Sequence, residues 1–242
     1  MELLVVIAII ALLSSIVLSS LAKVRSASRA VVCMNNLKTV GQEFFIFADD
    51  NNHSYRGDSD RQDRKLFRLE DFQEKLYRIH EFWDAGSATE AAIEPNEQPL
   101  VCPEAAAGAL IKRKNLPCSG SAVAPAQAVS VGFNMRLDQV STFFNGWARL
   151  QRTRLSSRIL ERADVPLAFG IDGARAVTQG VLPYYSAPPA GDAGLYGTGR
   201  FWFPSLRHEN RMNVAYIGGY VQRTADPGKS AKANWKYQPP LQ

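Results

Sequence analysis

The sequence predicts an α+β protein in which one long amino-terminal helix packs on an antiparallel β-sheet head. An uncharged, largely apolar run of 20 residues, Leu3 to Ala22, lies at the start of the chain. An apolar stripe at spacings of three and four residues continues from it to about residue 47. Short strand-like runs separated by glycine-rich turns occupy the second half, and a chain of 242 residues with net charge +5 is long enough to bury a sizeable core.

The run from Leu3 to Ala22 has the length and composition of a membrane-spanning helix. At about 1.5 Å per residue it spans about 30 Å, which is the thickness of the hydrocarbon core of a bilayer. A cleaved secretory signal is an alternative, but the run is too long for one and no basic residue precedes it. A core helix of a soluble protein is the other alternative, which the absence of charge on every face disfavours. We therefore favour a retained membrane helix.

The basic residues near this run bear on its orientation. Lys23, Arg25 and Arg29 follow the run, so the positive-inside rule taken alone places the rest of the chain in the cytoplasm. A basic leader before the first residue would reverse this orientation.

The helix is predicted to continue beyond the apolar run as an amphipathic segment. The apolar stripe of this segment consists of Val24, Ala27, Val31, Met34, Leu37, Val40, Phe44 and Phe47. No proline interrupts it, and Asp49-Asp50-Asn51-Asn52 predicts its end. We therefore divide the chain into a long helix at 1–50 (2–22 transmembrane, 23–50 amphipathic), a globular α+β head at 51–224 and a carboxy-terminal tail at 225–242.

Within the head, local patterns predict a second helix and several short strands. An apolar stripe predicts the helix from about Arg64 to Asp84. Strands are predicted at 100–101, 128–133 and 165–171, and a hairpin at 212–217 and 220–223 around Gly218-Gly219. Residues 139–150 fit a short helix, and the Gly-, Pro- and Ala-rich stretch 173–199 fits an exposed loop.

The cysteines and histidines show no metal-ligand spacing, so we expect no zinc site. Cys102 and Cys118 flank a Pro-, Ala- and Gly-rich loop, which makes them the favoured disulfide pair in an oxidising compartment. Three buried thiols, with Cys33 as the third, are the alternative.

No other pattern predicts catalysis or a cofactor. Nucleophile, Walker and metalloprotease motifs are absent from the sequence, so we predict a protein that is not an enzyme. Asp172, Asp192 and Asp226 lie in predicted loops without the ligand pattern of a calcium site, so we predict no cofactor and keep structural Ca²⁺ as an alternative. His208 beside Arg207 is expected to order the turn before the last hairpin.

The basic excess is concentrated between Arg136 and Arg162. The candidate phosphate-binding residues are Arg149, Arg152, Arg154, Arg158 and Arg162. Such a run is more often a solvated charged face, so nucleic-acid binding is the weaker interpretation.

Three segments together resemble a known family. Glu2-Leu-Leu-Val-Val-Ile-Ala-Ile-Ile-Ala11 resembles the start of mature type IV pilins and type II secretion pseudopilins. Cys33-Met-Asn-Asn-Leu-Lys-Thr-Val-Gly41 is similar to the C-x-N-N-L-k-x-i-G stretch of one large bacterial pseudopilin-like group. Arg207 to Val221 resembles that group's closing motif, R-H-x-x-x-x-N-v-x-f-x-D-G-H-V, which contains H-x9-D-G.

The middle of the chain matches this group loosely, and two positions depart from it. The loose matches are Val101-Cys102-Pro103, Gly132-Phe133-Asn134 and Ile171-Asp172. Gly218 and Tyr220 stand where the closing motif has Asp and His. Mature chains of this family usually begin about three residues earlier, after a basic leader, and such a leader would resolve the conflict over orientation.

The resemblance implies a pilin-like fold and a filament subunit, that is, a homo-oligomer. Glu2 matches the acidic residue that pairs with the amino-terminal ammonium of a neighbouring subunit and sets the axial register, since an unpaired carboxylate beside an apolar span is costly. The helix core of the filament would be formed by Leu3, Leu4, Val5, Val6, Ile7, Ile9, Ile10, Leu12 and Leu13.

The implied partners and location also follow from the resemblance. The partners are a prepilin peptidase with N-methyltransferase activity, an assembly ATPase and a platform protein. The implied location is a single pass through the inner membrane before assembly, and a periplasmic or extracellular filament afterwards. The alternative is a minor pilin or a membrane-anchored surface module that binds DNA or glycan and does not itself form filaments.

Overall fold

The computed structural model describes residues 2–53, 66–77, 99–105, 114–116, 120–122, 129–179, 181, 185–189, 195–228 and 234–240. Over these residues the chain is α+β, with a long amino-terminal helix and a mixed five-stranded sheet. The coarse fold class predicted from the sequence is therefore confirmed.

Helix α1 runs without interruption from Glu2 to His53, 52 residues or about 78 Å. From Leu3 to Arg29 every described side chain is exposed, and the first buried residue is Ala30. Beyond it one face is buried, formed by Ala30, Cys33, Leu37, Val40, Phe44, Phe47 and Ala48. The later half of the predicted stripe is thus confirmed. Val24 is exposed because it precedes Ala30, the first residue of α1 that the head buries, and Val31 is exposed although it follows Ala30.

The central sheet has the strand order β7-β3-β6-β8-β9. Its strands are β3 (Val131–Asn134), β6 (Pro166–Gly170), β7 (Tyr185–Ser186), β8 (Met212–Tyr216) and β9 (Val221–Thr224). Neighbours pair antiparallel except β3 and β7, which are parallel. The prediction of a wholly antiparallel sheet is therefore wrong at this edge. After β6 the chain returns to the sheet on the other side of β3, and there β7 runs in the same direction as β3.

Two separate hairpins accompany this sheet. Strands β1 (Lys114–Leu116) and β2 (Gly120–Ala122) form one, and β4 (Gln139–Phe144) and β5 (Trp147–Arg152) form the other. The predicted helix at 139–150 is wrong. Asn145 and Gly146 have φ of 49° and 80°, the left-handed pair that closes a two-residue hairpin, and they reverse the chain there.

The remaining helices are short. Helix α2 spans Leu69–Tyr77 and begins later than predicted, because Phe67 pairs with Leu155 as an extended residue. The predicted continuation beyond Tyr77 lies outside the described residues. Helix α3 spans Gly173–Thr178, and Ala176 and Tyr196 are buried, so the prediction of an exposed loop over 173–199 is wrong where the structure describes it.

The core forms where α1 crosses the sheet. Phe44 packs edge-to-face on Phe67 and Phe72, with ring centroids 6.1 and 5.2 Å apart, and Phe47 packs on the same two rings. Beneath these rings lies the apolar side of β3, β6 and β8. The tail adds Trp235, whose ring lies 5.2 Å from that of Phe169. The covered half of α1 is therefore part of the head's own core.

Candidate functional site

The first half of α1 is a continuous exposed apolar surface. The predicted filament-core residues from Leu3 to Leu13 are between 52% and 78% exposed. Among the described residues, α1 is the one helix long and apolar enough to cross a membrane, and its most apolar stretch has a mean hydropathy of 2.8. Moving an apolar side chain of this size from water into an apolar surrounding is favourable by about 1.5–3 kcal/mol of free energy. This surface therefore strongly favours an apolar partner.

The serines in this segment are compatible with an apolar surrounding. The hydroxyl of Ser15 donates to the carbonyl of Leu12, and that of Ser20 donates to the carbonyl of Val17, each at 2.8 Å. A hydroxyl that bonds to its own helix can enter lipid without losing its hydrogen bond. Glu2 begins the helix, but its side chain lies outside the described residues, so its pairing stays a prediction.

A disulfide joins α1 to the head, and it is not the one predicted. Cys33 on α1 is bonded to Cys102, with their Cα atoms 5.3 Å apart and a sequence separation of 69. The pairing of Cys102 with Cys118 is therefore wrong, and Cys118 itself lies outside the described residues. The segment that carries Cys102 lies along α1, where the Asn36 side-chain amide donates to the Val101 carbonyl at 3.3 Å and Ser26 donates to Glu104 at 2.7 Å. These contacts bring Cys102 to Cys33 despite the distance along the chain.

His208 lies against this disulfide. Its ring is buried, with Nε2 3.3 Å from Sγ of Cys102 and Nδ1 2.7 Å from Oε2 of Glu104. Burial lowers the pKa of His208 and outweighs the neighbouring Glu104 carboxylate, which raises it. Burial likewise lowers the pKa of Arg207, whose guanidinium donates to the Ile171 carbonyl.

The backbone around His208 forms a tight turn, as expected from the sequence. The amide of Arg211 donates to the His208 carbonyl at 3.0 Å, and Glu209 and Asn210 between them have φ of 54° and 58°. Arg223 on β9 donates to the same carbonyl at 3.0 Å. The turn therefore holds the imidazole in place at the junction between α1 and the sheet.

The structure of the last hairpin bears on Gly218, which stands where the closing motif has Asp. The amide of Tyr216 donates to the Tyr220 carbonyl at 3.0 Å, so three residues form the loop rather than the two predicted. A Cβ atom on Gly218 would lie 2.8 Å from Cβ of Ala163. Any side chain at position 218, that of Asp included, would therefore have to displace Ala163.

The predicted arginines do not all share one environment. Arg149, Arg152, Arg154, Arg158 and Arg162 are exposed, whereas Arg136 is fully buried and donates to the Pro188 carbonyl at 2.9 Å. Arg152 forms an ion pair with Glu70 at 2.5 Å, and the guanidinium of Arg162 lies 4.9 Å from the centre of the Tyr237 ring. Two of the five predicted residues are therefore engaged within the chain.

The predicted calcium residues are not brought together where the structure describes them. Asp172 caps α3 by accepting the Arg175 amide at 3.1 Å, and Asp192 lies outside the described residues. Over the described ranges, the group of three side chains whose potential ligand atoms lie close together, within 4.8 Å, is instead Cys33, Cys102 and His208, and the two cysteines of this group are joined in the disulfide. Sequence spacing missed this group because its members come from three distant segments.

Glu104 is a further residue at this junction that the sequence did not single out, and Asn213 is one to which the sequence analysis gave no role. Glu104 is followed by Ala-rich sequence with no motif, whereas Asn213 occupies the Asn position of the closing motif that Arg207 to Val221 resembles. A signal was present for Asn213 alone, since a polar residue between Met212 and Val214 in a buried strand needs a partner.

In comparisons with known proteins, no family model, curated protein or solved structure matches this chain.

Proposed function

We propose that this chain is a structural subunit of a type IV pilus-like or type II secretion pseudopilus filament. In this proposal the first half of α1 anchors it as a single pass in the inner membrane before assembly. The observation that carries the proposal is the contrast along α1: residues 3–29 are exposed on every described side, whereas residues 30–53 are covered on one face by the head. The exposed half needs lipid, and later other helices, to cover it.

The sequence resemblance supports the same function. Its quoted segments include Cys33, Val101-Cys102-Pro103, Ile171 and Arg207-His208, and these meet at the junction between α1 and the sheet. Chance matches scattered over 242 residues would not be expected to converge on one place. A long helix with one half packed on a sheet is also the arrangement that a pilin-like subunit needs.

Assembly by this route moves the first half of α1 from one apolar surrounding to another, and the chain itself catalyses no reaction. Moving the helix from lipid into a bundle of identical helices gives little hydrophobic gain, because lipid tails are as apolar as leucine. Close packing and polar pairing must then set the subunit register. In this proposal Glu2 supplies the register by pairing with a neighbour's amino terminus, and a prepilin peptidase, an assembly ATPase and a platform protein act on the subunit.

Imaging of filaments sheared from producing cells tests the proposal. We expect filaments from the full chain and few or none from Glu2→Ala. Asp50→Ala is the matched control, because Asp50 is an exposed carboxylate at the other end of the same helix. Filaments in the control but not in Glu2→Ala would support register by Glu2. Absence of filaments from the unaltered chain, with the protein monomeric in the membrane fraction, would contradict a filament-forming subunit.

A membrane-anchored binding module is the second candidate, and one surface favours it. Trp147 lies at the tip of the β4–β5 hairpin with 81% of its side chain exposed, and Arg149 is exposed two residues later. An aromatic ring beside a guanidinium can stack on a base or a sugar. We expect DNA affinity that falls steeply with salt and drops further in Trp147→Ala if this candidate is correct. Affinity that does not respond to either change would reject it.

A further inference from the structure

Cys33, Cys102 and His208 form a compact group of metal-ligand atoms between α1 and the head. Their sulfur and nitrogen atoms all lie within 4.8 Å of one another, and all three residues are buried. Two sulfurs and an imidazole nitrogen are the ligand types preferred by zinc and similar thiophilic cations.

The orientation of His208 is suited to ligation. Its Nδ1 faces Oε2 of Glu104 at 2.7 Å, which leaves Nε2 facing Sγ of Cys102 at 3.3 Å. A carboxylate behind a histidine is the arrangement that orients metal-bound imidazoles and makes them better donors. In a tetrahedral zinc site, bond lengths of about 2.3 Å to sulfur and about 2.0 Å to nitrogen put these two atoms about 3.5 Å apart. The observed separation is close to that value.

A small cavity beside the group is lined by a buried amide side chain that has no hydrogen-bond partner among the described residues. The cavity has a volume of about 20 Å³ and is lined by Cys33, Cys102, His208 and Asn213, among others. Asn213 is 3% exposed, and neither its side-chain oxygen nor its nitrogen has a hydrogen-bond partner among the described residues. A buried amide without a partner is costly, and one beside such a cavity points to a bound water or ion.

We propose that the dithiol form of this chain, as it exists before the Cys33–Cys102 bond is made, binds one thiophilic divalent cation of the zinc type at this group. Cys33 and Cys102 supply thiolates and His208 supplies Nε2. The fourth position is taken by Oδ1 of Asn213 or by a water bound to it. Each thiol loses one proton on binding, two sulfur–metal bonds and one nitrogen–metal bond form, and no electron is transferred.

The disulfide and the metal site are then two exclusive ways of joining the same helix to the head. In the disulfide form the two sulfurs share a bond and have no charge for a cation. In the dithiol form the sulfurs must separate to about 3.8 Å, the distance between two thiolates on one tetrahedral zinc ion. A reducing compartment would favour the metal-bound junction, and an oxidising one would favour the disulfide.

Cobalt binding to the full chain in detergent micelles tests this proposal. A phosphine reduces the disulfide to two thiols and becomes the phosphine oxide, taking its oxygen from water, and Co²⁺ is then added. We expect one Co²⁺ per chain with a thiolate-to-cobalt charge-transfer band, which Zn²⁺ displaces. The same chain kept in its disulfide form should show no such band.

Variants separate this site from binding elsewhere. Cys33→Ser and His208→Ala should weaken binding at least tenfold, and Glu104→Gln, behind the histidine, should weaken it by about 10- to 100-fold. Cys118→Ser is the matched control, since it removes the third cysteine of the chain, which the proposal does not use, and should leave the band unchanged.

Folding of the variants is checked by the cysteines themselves. His208→Ala keeps both sulfurs, so reoxidation should still give a Cys33–Cys102 bond, detected by peptide mapping without reductant. Loss of cobalt binding with that bond still forming would support His208 as a ligand. Absence of a thiolate band in the reduced unaltered chain, or a band lost in Cys118→Ser but kept in His208→Ala, would overturn the proposal.

Discussion

The two halves of α1 have the same regular backbone but opposite relations to the rest of the chain. Residues 3–29 are exposed on every described side, and their apolar side chains include Leu3 at 78% and Leu12 at 61% exposure. Residues 30–53 bury one face, where Phe44 and Val40 are fully covered by the head. The boundary lies near Ala30, which is the first residue of α1 that the head buries.

This difference separates two sources of stability in one helix. The second half is held by tertiary packing within the chain, so changes on its buried face should lower the free energy of unfolding of the head. The first half has no such packing in the part of the chain that the structure describes, so changes there should alter membrane association and leave the head intact.

The largest effect is expected from Phe44→Ala, on the covered face of the second half. Phe44 packs edge-to-face on Phe67 and Phe72 and is fully buried, so its removal leaves a cavity and should cost about 4 kcal/mol. Urea unfolding of the full chain in detergent measures the loss. Phe45→Ala is the matched control, because Phe45 is the next residue and is 49% exposed. Equal losses in the two variants would contradict the assignment of faces.

The next largest effect is expected from Leu12→Lys, near the centre of the exposed half. A lysine at the middle of a membrane helix costs about 2.5–3.5 kcal/mol, so the variant should be depleted from the membrane fraction while its head remains folded. Val31→Lys is the comparison in the second half, at an apolar side chain that is also exposed. If the Val31→Lys variant stays in the membrane fraction and the Leu12→Lys variant is lost from it, the membrane boundary lies between the two positions. Retention of both in alkali-washed membranes would contradict a membrane span in the first half.

A smaller effect is expected at the β8–β9 turn, which lies against the second half of α1 near Gly41. Gly218→Ala puts a Cβ atom 2.8 Å from Cβ of Ala163, and such overpacking should cost about 2 kcal/mol. Gly228→Ala should change the free energy of unfolding by less than about 0.5 kcal/mol, since the atom nearest to the added Cβ is Oδ1 of Asp226 at 3.9 Å. Adding Ala163→Gly to Gly218→Ala should restore part of the loss in thermal unfolding. A Gly218→Ala chain as stable as the original would reject the packing explanation.

The smallest effect is expected from Asp138→Asn in the head, which serves as a baseline for a change that is not made on α1. Burial raises the pKa of Asp138, and Glu70 raises it further. The folded state therefore favours the neutral carboxyl, so this group's contribution to stability is present below its ordinary pKa and is lost as pH rises through the raised pKa. Asparagine is neutral throughout, so the variant should be more stable at pH 7, by less than the Gly218→Ala loss, and the gain should vanish in acid. Melting temperatures across pH, with exposed Glu161→Gln as control, measure this, and a gain that persists in acid would contradict it.

The sequence predicted features whose cause is local. Helix α1 was predictable because Leu3 to Ala22 is uncharged and because Leu37, Val40, Phe44 and Phe47 recur with helical spacing. Strands β6 and β8 were also predictable from local sequence, because each is a short apolar run bounded by turns. The β4–β5 hairpin had a local signal too, Asn145-Gly146, which the helical interpretation of 139–150 overlooked.

The features that the sequence did not predict depend on contacts between distant residues. The parallel pairing of β3 with β7 depends on where the connection after β6 returns to the sheet. Trp235 enters the core only because Phe169 and Trp202 present rings to it. Neither of these can be read from residue spacing, because the partners lie tens of residues apart.

The sequence by itself determined the two-part character of α1, since composition and a 3.6-residue period act within a few turns of one helix. Only the tertiary structure decided that Cys102 pairs with Cys33 rather than Cys118, that His208 lies against that bond, and that position 218 has no room for a side chain. The physical reason is that these outcomes depend on which surfaces meet when the head packs on the helix. Their partners are separated by 69 residues for the two cysteines and by 106 for Cys102 and His208.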